Sequence, residues 1–144
     1  MNDVIQAVHE TRDIDREEAR LMTGMEWIPC LERSVNLSST LSVGVDNEQY
    51  VCLFGVVPAA PLEARGEPWL IGSSRIEHCS RAFARQSKYA LTQLAEGFEV
   101  LENYVYTENR AAVRWLEWLG FDIDEAKPIK PYDALFHHFS WRAR

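Results

Sequence analysis

The spacing of apolar residues along this chain switches between a helical and a strand period, and the order of the switches most constrains the fold. Apolar residues recur every three to four positions in four segments, which predicts helices over residues 13–22, 28–37, 80–96 and 109–119. Alternating or β-branched residues predict strands over residues 4–8, 41–45, 50–57, 69–71, 101–106, 121–123 and 135–141. Proline and glycine predict loops over residues 59–67 and 127–131.

This order of elements predicts the architecture of the chain. The early strands form a hairpin, which makes them antiparallel neighbours, whereas a later strand–helix–strand unit favours a parallel pair. We therefore expect an α/β (α+β) fold with a mixed, mostly antiparallel sheet and helices on both faces. The 144 residues and the 47% hydrophobic content fit a single domain over residues 1–144.

Several classes of protein are disfavoured by the same sequence. No apolar run approaches the roughly 20 residues of a membrane-spanning helix, and the N-terminus lacks the basic start and apolar stretch of a secretory signal. We therefore expect no membrane association and a cytoplasmic location. Three widely spaced cysteines, Cys30, Cys52 and Cys79, are expected to be small buried residues in a reducing compartment, without a zinc site.

The net charge of −7 predicts against nucleic-acid binding, since nucleic-acid-binding proteins usually carry a basic patch. The cations are scattered along the sequence, except for a group at Arg75, Arg81, Arg85 and Lys88. An acidic surface favours solubility and suits a protein partner. The sequence makes no prediction of the oligomeric state.

The most informative motif occupies residues 109–121, which read NRAAVRWLEWLGF. Asn109 is expected to cap a helix through its side-chain oxygen. Gly120 is expected to end that helix with a positive φ, and Phe121 to begin the next strand in the core. This motif, together with the element order, resembles the late motif of the GNAT acetyltransferase superfamily. The resemblance implies the GNAT fold.

A narrower resemblance rests on residues 67–72, 81–83 and 101–105 together with residues 109–121. These segments resemble the GNAT-like internal virion protein A family of short-tailed bacteriophages. The resemblance implies a phage origin, a location in the host bacterial cytoplasm or the virion, and a host or virion protein as partner.

The superfamily resemblance also implies acetyl-CoA as the cofactor of an active enzyme. The superfamily holds the diphosphate in a loop of the form Gln/Arg-x-x-Gly-x-Gly/Ala before the central helix, but residues 72–83 lack this pattern. In one interpretation the free N–H groups and cations there still hold a diphosphate. In the other, Ser80 only caps the helix and the arginines form a solvated face. The candidate cofactor ligands are Ser80, Arg81, Arg75 and Asn109, with Arg85 as a further nearby cation.

The catalytic groups of the superfamily are also incomplete in this sequence. A late-helix tyrosine commonly serves as general acid in the superfamily, and that position is Leu116 here. Tyr104 and Tyr106, on the preceding strand, are the substitutes. The candidate bases are Glu67, Glu77 and His78. The adjacent His137 and His138 are expected to point to opposite faces of a strand and to share no metal.

Two functions follow from these observations. In the first, the chain is a non-catalytic or degenerate acetyltransferase that acts in virion assembly or binds a host protein. In the second, it is an active acetyl-CoA-dependent N-acetyltransferase that modifies an amine of a host protein or small molecule. Trp118 is either a partner anchor on the outer face of its helix or packs on the last strand.

Overall fold

Seven strands form one sheet in the computed structural model, which describes residues 2–143. The strands are β1 Thr40–Asp46, β2 Gln49–Ala60, β3 Arg65–Gly72, β4 Val100–Tyr106, β5 Asp122–Ile123, β6 Lys127–Ile129 and β7 Ala134–Arg142. The α-helices within these residues are α1 Asn2–Glu10, α2 Asp13–Thr23, α3 Trp27–Leu37, α4 Arg81–Leu94 and α5 Arg110–Leu119. The predicted mixed α/β fold with a mostly antiparallel sheet is confirmed.

The strand order is β1-β2-β3-β4-β7-β5, and β6 also pairs with β7. Each pair is antiparallel except β3–β4, which is parallel and has only two register pairs, Arg65 with Val100 and Gly66 with Leu101. Backbone pairing between β3 and β4 stops after these residues. We call the gap between the two strands beyond this point the fork.

Helices cover both faces of the sheet because β2 carries apolar side chains on both sides. Leu53 packs with Ala7 of α1 and Leu31 of α3. Val56, three residues further along β2 and so on the opposite face, packs with Leu91 of α4 and with residues of α5. The core therefore has two layers, with α1 and α3 on one face and α4 and α5 on the other.

The prediction of a strand over residues 4–8 is wrong, because these residues belong to α1. Ala7 is completely buried, and Val4 and Val8 pack against the same cluster. The spacing of these three residues fits one side of a helix as well as it fits a short strand. Packing against β2 and β3 decides for the helix.

The predicted loops over residues 59–67 and 127–131 are partly wrong. β2 continues to Ala60 and β3 begins at Arg65, so that only a short turn with a 3-10 helix, Pro61–Glu63, separates them. Residues 127–129 form the edge strand β6, where a proline is tolerated because one side of the strand needs no backbone donor. Proline and glycine content alone therefore overstated the length of both loops.

The predicted end of α5 and start of the next core segment are confirmed. Gly120 has a φ of 97° and ends α5, and Phe121 is buried in the core. The prediction that the three cysteines are buried is confirmed for Cys52 only, because Cys30 and Cys79 are half-buried; all three are free. Within residues 2–143 no helix combines the length and apolarity needed to cross a membrane.

Candidate functional site

Two carboxylates of α2 fill the fork between β3 and β4. Oδ2 of Asp15 accepts a hydrogen bond of 2.9 Å from the N–H of Gly72, at the end of β3. Oε2 of Glu18 accepts a hydrogen bond of 2.8 Å from the N–H of Tyr106, at the end of β4. The two acids are three residues apart on α2 and so lie on one side of the helix. Helix α2 thus supplies acceptors for strand donors that lack a partner strand.

Asn109 ties these carboxylates together. Its Nδ2 donates to Oδ1 of Asp15 at 3.0 Å and to Oε2 of Glu18 at 3.4 Å, and its Oδ1 accepts from Nη2 of Arg12 at 3.3 Å. The residue is 2% exposed and forms no side-chain cap on α5. The prediction of a capping role for Asn109 is therefore wrong. Its amide serves buried carboxylates, which need donors more than the solvent-accessible helix start does.

Arg12 supplies the positive charge of this cluster. Its Nη2 and Nε lie 2.9 and 3.2 Å from the two carboxylate oxygens of Asp15, and its side chain is 8% exposed. Its Nη1 donates to Glu77 at 3.4 Å. A buried carboxylate is tolerated when it is paired and hydrogen-bonded in this way.

Glu18 stands apart from the other acids of the chain. Burial of the carboxyl raises the pKa of Glu18 to about 7, and the nearby charge of Asp15 raises it further, against the opposing effect of its hydrogen bonds. A carboxyl with a pKa near neutrality can exchange a proton at physiological pH. Glu18 was not among the residues predicted for the site. The available signal was two acids, Asp15 and Glu18, on the same side of α2 as the apolar Met22.

A cavity of about 550 Å³ passes through the fork. Its lining includes Trp27 from the α1–α3 side of the sheet and Leu116 from the α4–α5 side, with Glu18 and Trp69 between them. One side chain spans the gap, because Nδ2 of Asn103 donates to the carbonyl of Pro68 at 3.0 Å. The cavity is thus reached by residues of both sheet faces and contains a titratable carboxyl.

The start of α4 already has an anionic partner. Oγ of Ser80 accepts from the N–H of Phe83 at 3.1 Å and so caps the helix. The carboxylate of Asp46, at the end of β1, accepts from the N–H and the hydroxyl of Ser80, both at 2.8 Å. A carboxylate at a helix N-terminus satisfies the same donors and the same partial positive charge that a phosphate would use.

The cations predicted to help Ser80 do not gather around it. Nη1 of Arg75 donates to Oε1 of Glu10 at 2.7 Å and to the carbonyl of Tyr50 at 3.1 Å. The hydrogen bond from Arg75 lowers the pKa of Glu10. Arg81 is exposed on α4. The predicted cofactor set of Ser80, Arg81, Arg75 and Asn109 is therefore spread over three separate places, with Asn109 in the fork.

The predicted catalytic residues also divide into two groups. Glu67 and Tyr104 line the cavity, on β3 and β4 respectively, and Tyr104 is 39% exposed. Glu77 and His78 are exposed in the short 3-10 helix Ser74–His78, and Glu77 contacts Arg12. Their catalytic roles remain predictions. The structure brings Glu67 and Tyr104 into the cavity with Glu18 and leaves His78 outside it.

A second polar cluster lies on β7. Nε2 of His138 lies 2.9 Å from Oε1 of Glu102, and its Nδ1 lies 2.9 Å from Oδ2 of Asp124. His137 instead contacts the backbone carbonyl of Asp124 at 2.8 Å. No group of three or more His, Cys, Asp or Glu side chains in residues 2–143 could hold a metal ion.

Trp118 packs on α4. Its Nε1 donates to the carbonyl of Ala84 at 3.2 Å, and Nζ of Lys88 lies 3.8 Å from the centre of its ring. The alternative that Trp118 packs on the last strand is wrong. The side chain remains 46% exposed on the outside of the molecule.

No family model matches the sequence, and no curated protein matches it. Solved structures do. The spermidine N-acetyltransferase of Vibrio cholerae, in complex with CoA and spermine, has a TM-score of 0.67 at 14% identity, covering 98% of this chain and 90% of that one. The protein smu.2055 of Streptococcus mutans has a TM-score of 0.67 at 12% identity, covering 98% and 92%. A GCN5-related N-acetyltransferase of Kribbella flavida has a TM-score of 0.57 at 18% identity, covering 78% and 77%.

The chain has the GNAT fold. Identities this low establish the shared fold alone. The resemblance to the phage internal virion protein A family remains a prediction.

Acetyl-CoA is the cofactor that the GNAT fold suggests, but the residues at the start of α4 do not fit its diphosphate. The donors of Ser80 are bonded to Asp46, and Arg75 is paired with Glu10. A diphosphate could bind these donors only by displacing the carboxylate of Asp46, which exchanges one anion for another. Leu116, where the resemblance predicts the general acid of the superfamily, packs its aliphatic side chain against the core.

Proposed function

We propose that this protein uses the GNAT fold for binding and does not transfer acetyl groups. The observation that carries the proposal is the contact between Asp46 and Ser80. The Asp46 carboxylate takes both donors of Ser80, so that a diphosphate at this helix start would face a fixed negative charge. Two unit charges about 4 Å apart repel by about 4 kcal/mol near a protein surface, which is enough to cancel the gain from a few hydrogen bonds.

The fork supports the same proposal. A ligand that enters between β3 and β4 meets the N–H groups of Gly72 and Tyr106, but these already donate to Asp15 and Glu18. Asn109 and Arg12 hold Asp15 in place. The chain's own side chains thus occupy backbone donors that a bound cofactor would need.

The biological role that we propose is that of a bacteriophage protein. It would act in virion assembly or by binding a host protein, in the cytoplasm of the infected bacterium or in the virion. The resemblance of residues 67–72, 81–83, 101–105 and 109–121 to the phage family supports this role.

Thermal unfolding with and without about 1 mM acetyl-CoA or CoA tests the proposal. A ligand at a hundred times its dissociation constant stabilises a protein by about 2.7 kcal/mol, which for this size raises the melting temperature by about 8 °C. We expect no shift for this protein. The spermidine N-acetyltransferase of Vibrio cholerae serves as the positive control. A dose-dependent rise in melting temperature with acetyl-CoA would overturn the proposal.

A second candidate function, amine N-acetylation, is favoured by one observation. Glu18 has a pKa of about 7, because burial penalises its charge, and it lies in the cavity with Glu67 and Tyr104. In this function Glu18 would remove a proton from the ammonium group of the amine, and the freed lone pair would attack the acyl carbon of acetyl-CoA. The carbon–sulfur bond would break, and Tyr104 would protonate the leaving CoA thiolate, since Leu116 carries no proton.

The release of free CoA thiol in the presence of an amine panel separates the two candidates. Under the first proposal the protein releases no more thiol than buffer does. Under the second, wild type releases thiol, Glu18→Gln loses the activity, and Glu17→Gln keeps it. Glu17 is a fair control because it is the neighbouring acid on α2 but is exposed.

A further inference from the structure

Cations are concentrated on α4 and α5. Helix α4 carries three cations and no carboxylate, and α5 carries two cations and the single carboxylate Glu117. Since the chain has 15 cations and 22 carboxylates, the rest of it has ten cations and 21 carboxylates. These two helices are therefore positive in a chain that is otherwise strongly acidic.

The cations of α4 form one row on its outer side. Arg81, Arg85 and Lys88 follow one another at spacings of four and three residues, which places them on one side of a helix, and all three are exposed. On α5, Arg114 and Trp118 are four residues apart and both are exposed. We call the surface formed by these five residues the α4–α5 face.

Contacts between the two helices join these residues into a single surface. The rings of Phe83 on α4 and Trp115 on α5 stack with centroids 5.8 Å apart. Trp118 donates to the carbonyl of Ala84, and Lys88 lies over its ring. The relative position of the two helices, and with it the spacing of their cations, is therefore fixed by packing.

The charges of the α4–α5 face are not neutralised within the chain. Arg81, Arg85, Lys88 and Arg114 form no ion pair with a carboxylate of residues 2–143. Other cations are paired; Arg110, for example, lies 3.6 Å from Glu108. Four unpaired cations on one surface are a favourable partner for an external polyanion.

We propose that the α4–α5 face binds the phosphodiester backbone of a nucleic acid. Four cations lie on the face, and the exposed Glu117 near Arg114 is the single acid of the two helices. This excess of positive charge suits a polymer of uniform negative charge, whereas protein partners usually present complementary patterns of both signs. The row on α4 is about 10 Å long, and Arg114 lies on the second helix, since axes of packed helices are about 8–10 Å apart. Exposed Trp118 supplies an aromatic surface among the cations, as in sites that bind single strands.

This inference goes beyond the proposed function and does not depend on it. It also revises the expectation from net charge. The net charge of −7 disfavours nucleic-acid binding only if cations and carboxylates are evenly distributed over the surface. In the folded protein the four unpaired cations lie together on the α4–α5 face. The acidic remainder still repels a polyanion, so that the footprint is limited to the face itself. About four phosphates are contacted, which predicts a logarithmic salt slope of about −3.6 on a duplex and a roughly 150-fold loss of affinity between about 50 and 200 mM salt.

Fluorescence anisotropy of the full chain with a labelled DNA duplex of about 20 base pairs and with its single strand tests the inference. We expect binding to at least one at about 50 mM salt, with the steep salt dependence given above. The triple variant Arg81→Gln/Arg85→Gln/Lys88→Gln should bind at least 30-fold more weakly. The matched control Arg33→Gln/Lys127→Gln/Arg142→Gln removes the same charge from exposed positions elsewhere and should stay within threefold of wild type.

The two DNA probes distinguish the form that is bound. Tighter binding of the single strand, weakened by Trp118→Ala, indicates stacking on the face, whereas equal binding indicates phosphate contacts alone. Equal losses in both triple variants would show a net-charge effect and overturn the inference. Absence of binding at low salt, or tighter binding of polyglutamate of equal length than of DNA, would also overturn it, the latter in favour of an acidic protein partner.

Discussion

The side-chain amide of Asn109 donates a hydrogen bond of 3.0 Å to Oδ1 of Asp15, a residue 94 positions away in the sequence. The contact joins the start of α5 to α2 and fixes the carboxylates that fill the fork.

Replacing Asn109 by Asp tests this contact, because the shape is kept while a donor is exchanged for a third acid. The new carboxyl would lie beside Asp15 and Glu18, so that it destabilises the folded protein most when it is ionised. We expect the free energy of unfolding to fall by about 3 kcal/mol at pH 8 and by less at pH 5, where the new group holds its proton. Urea unfolding at both pH values measures this; equal losses at the two would contradict the charge argument.

Glu18 should make the protein less stable as the pH rises. The pKa of Glu18 is raised by burial from 4.5 to about 7, so between these values the unfolded chain has lost a proton that the folded protein still holds. Unfolding then releases a proton, and the stability due to this group declines through that range, by up to about 3 kcal/mol. Glu18→Gln cannot ionise and should remove the decline, whereas the exposed Glu17→Gln should leave it. Parallel pH profiles for wild type and Glu18→Gln would refute this assignment.

His138, like Glu18, should make the protein less stable as the pH rises, but through a charged imidazolium held by two carboxylates instead of a buried neutral acid. Burial lowers the pKa of His138, but its hydrogen bonds to Glu102 and Asp124 and their charges outweigh this and raise it overall. Its stabilising contribution is therefore complete below the reference value of 6.5 and disappears as the pH rises through the folded value.

The variant His138→Gln measures this contribution. It should lose about 1 kcal/mol relative to wild type at pH 5.5 and much less at pH 8.5. His137→Gln, which removes the neighbouring ring bonded to the backbone carbonyl of Asp124, is the control for loss of an imidazole from β7. NMR titration of the His138 ring gives a direct reading, and a pKa below 6.5 would disprove the assignment.

The contact between Asp46 and Ser80 should contribute to the stability of α4. Asp46→Ala removes two charge-assisted hydrogen bonds and a favourable charge at the helix start, and we expect a loss of about 2 kcal/mol in chemical unfolding. Asp122→Ala, at an exposed position on β5, should cost less than about 0.5 kcal/mol. A loss at Asp46 no larger than that at Asp122 would show that the carboxylate does not serve α4.

The sequence predicted those parts of the fold whose signals are local. The β1–β2 hairpin and α4 have periodic apolar residues and recognisable ends, and Gly120 requires a positive φ. Residues 4–8 were misassigned, because five residues fit either period and only packing of Ala7 against the sheet decides between them. The GNAT fold was predicted from residues 109–121, because the length of that helix and the glycine at its end can be recognised from the sequence.

The candidate site could be predicted only in part. Glu67 and Tyr104 were named and lie on the cavity, because their strands were identified correctly. Glu18 was not named, because its pKa is raised by burial in the folded protein and its partners Tyr106 and Asn109 are 88 and 91 positions away. The partnership of Asp46 with Ser80 likewise bridges 34 positions. Contacts of this kind form only in the tertiary structure, and the spacing of residues within one helix or loop does not predict them.

The sparse pairing of β3 with β4 has a mechanical consequence. Two register pairs join these strands, whereas seven or eight join β1 to β2, β2 to β3 and β4 to β7. Among the pairs of long strands, β3–β4 therefore offers the least backbone resistance to a separating force, and side chains such as Asn103 carry much of the load. Under tension the sheet should therefore divide at this line into two halves that each keep their own hydrogen bonds.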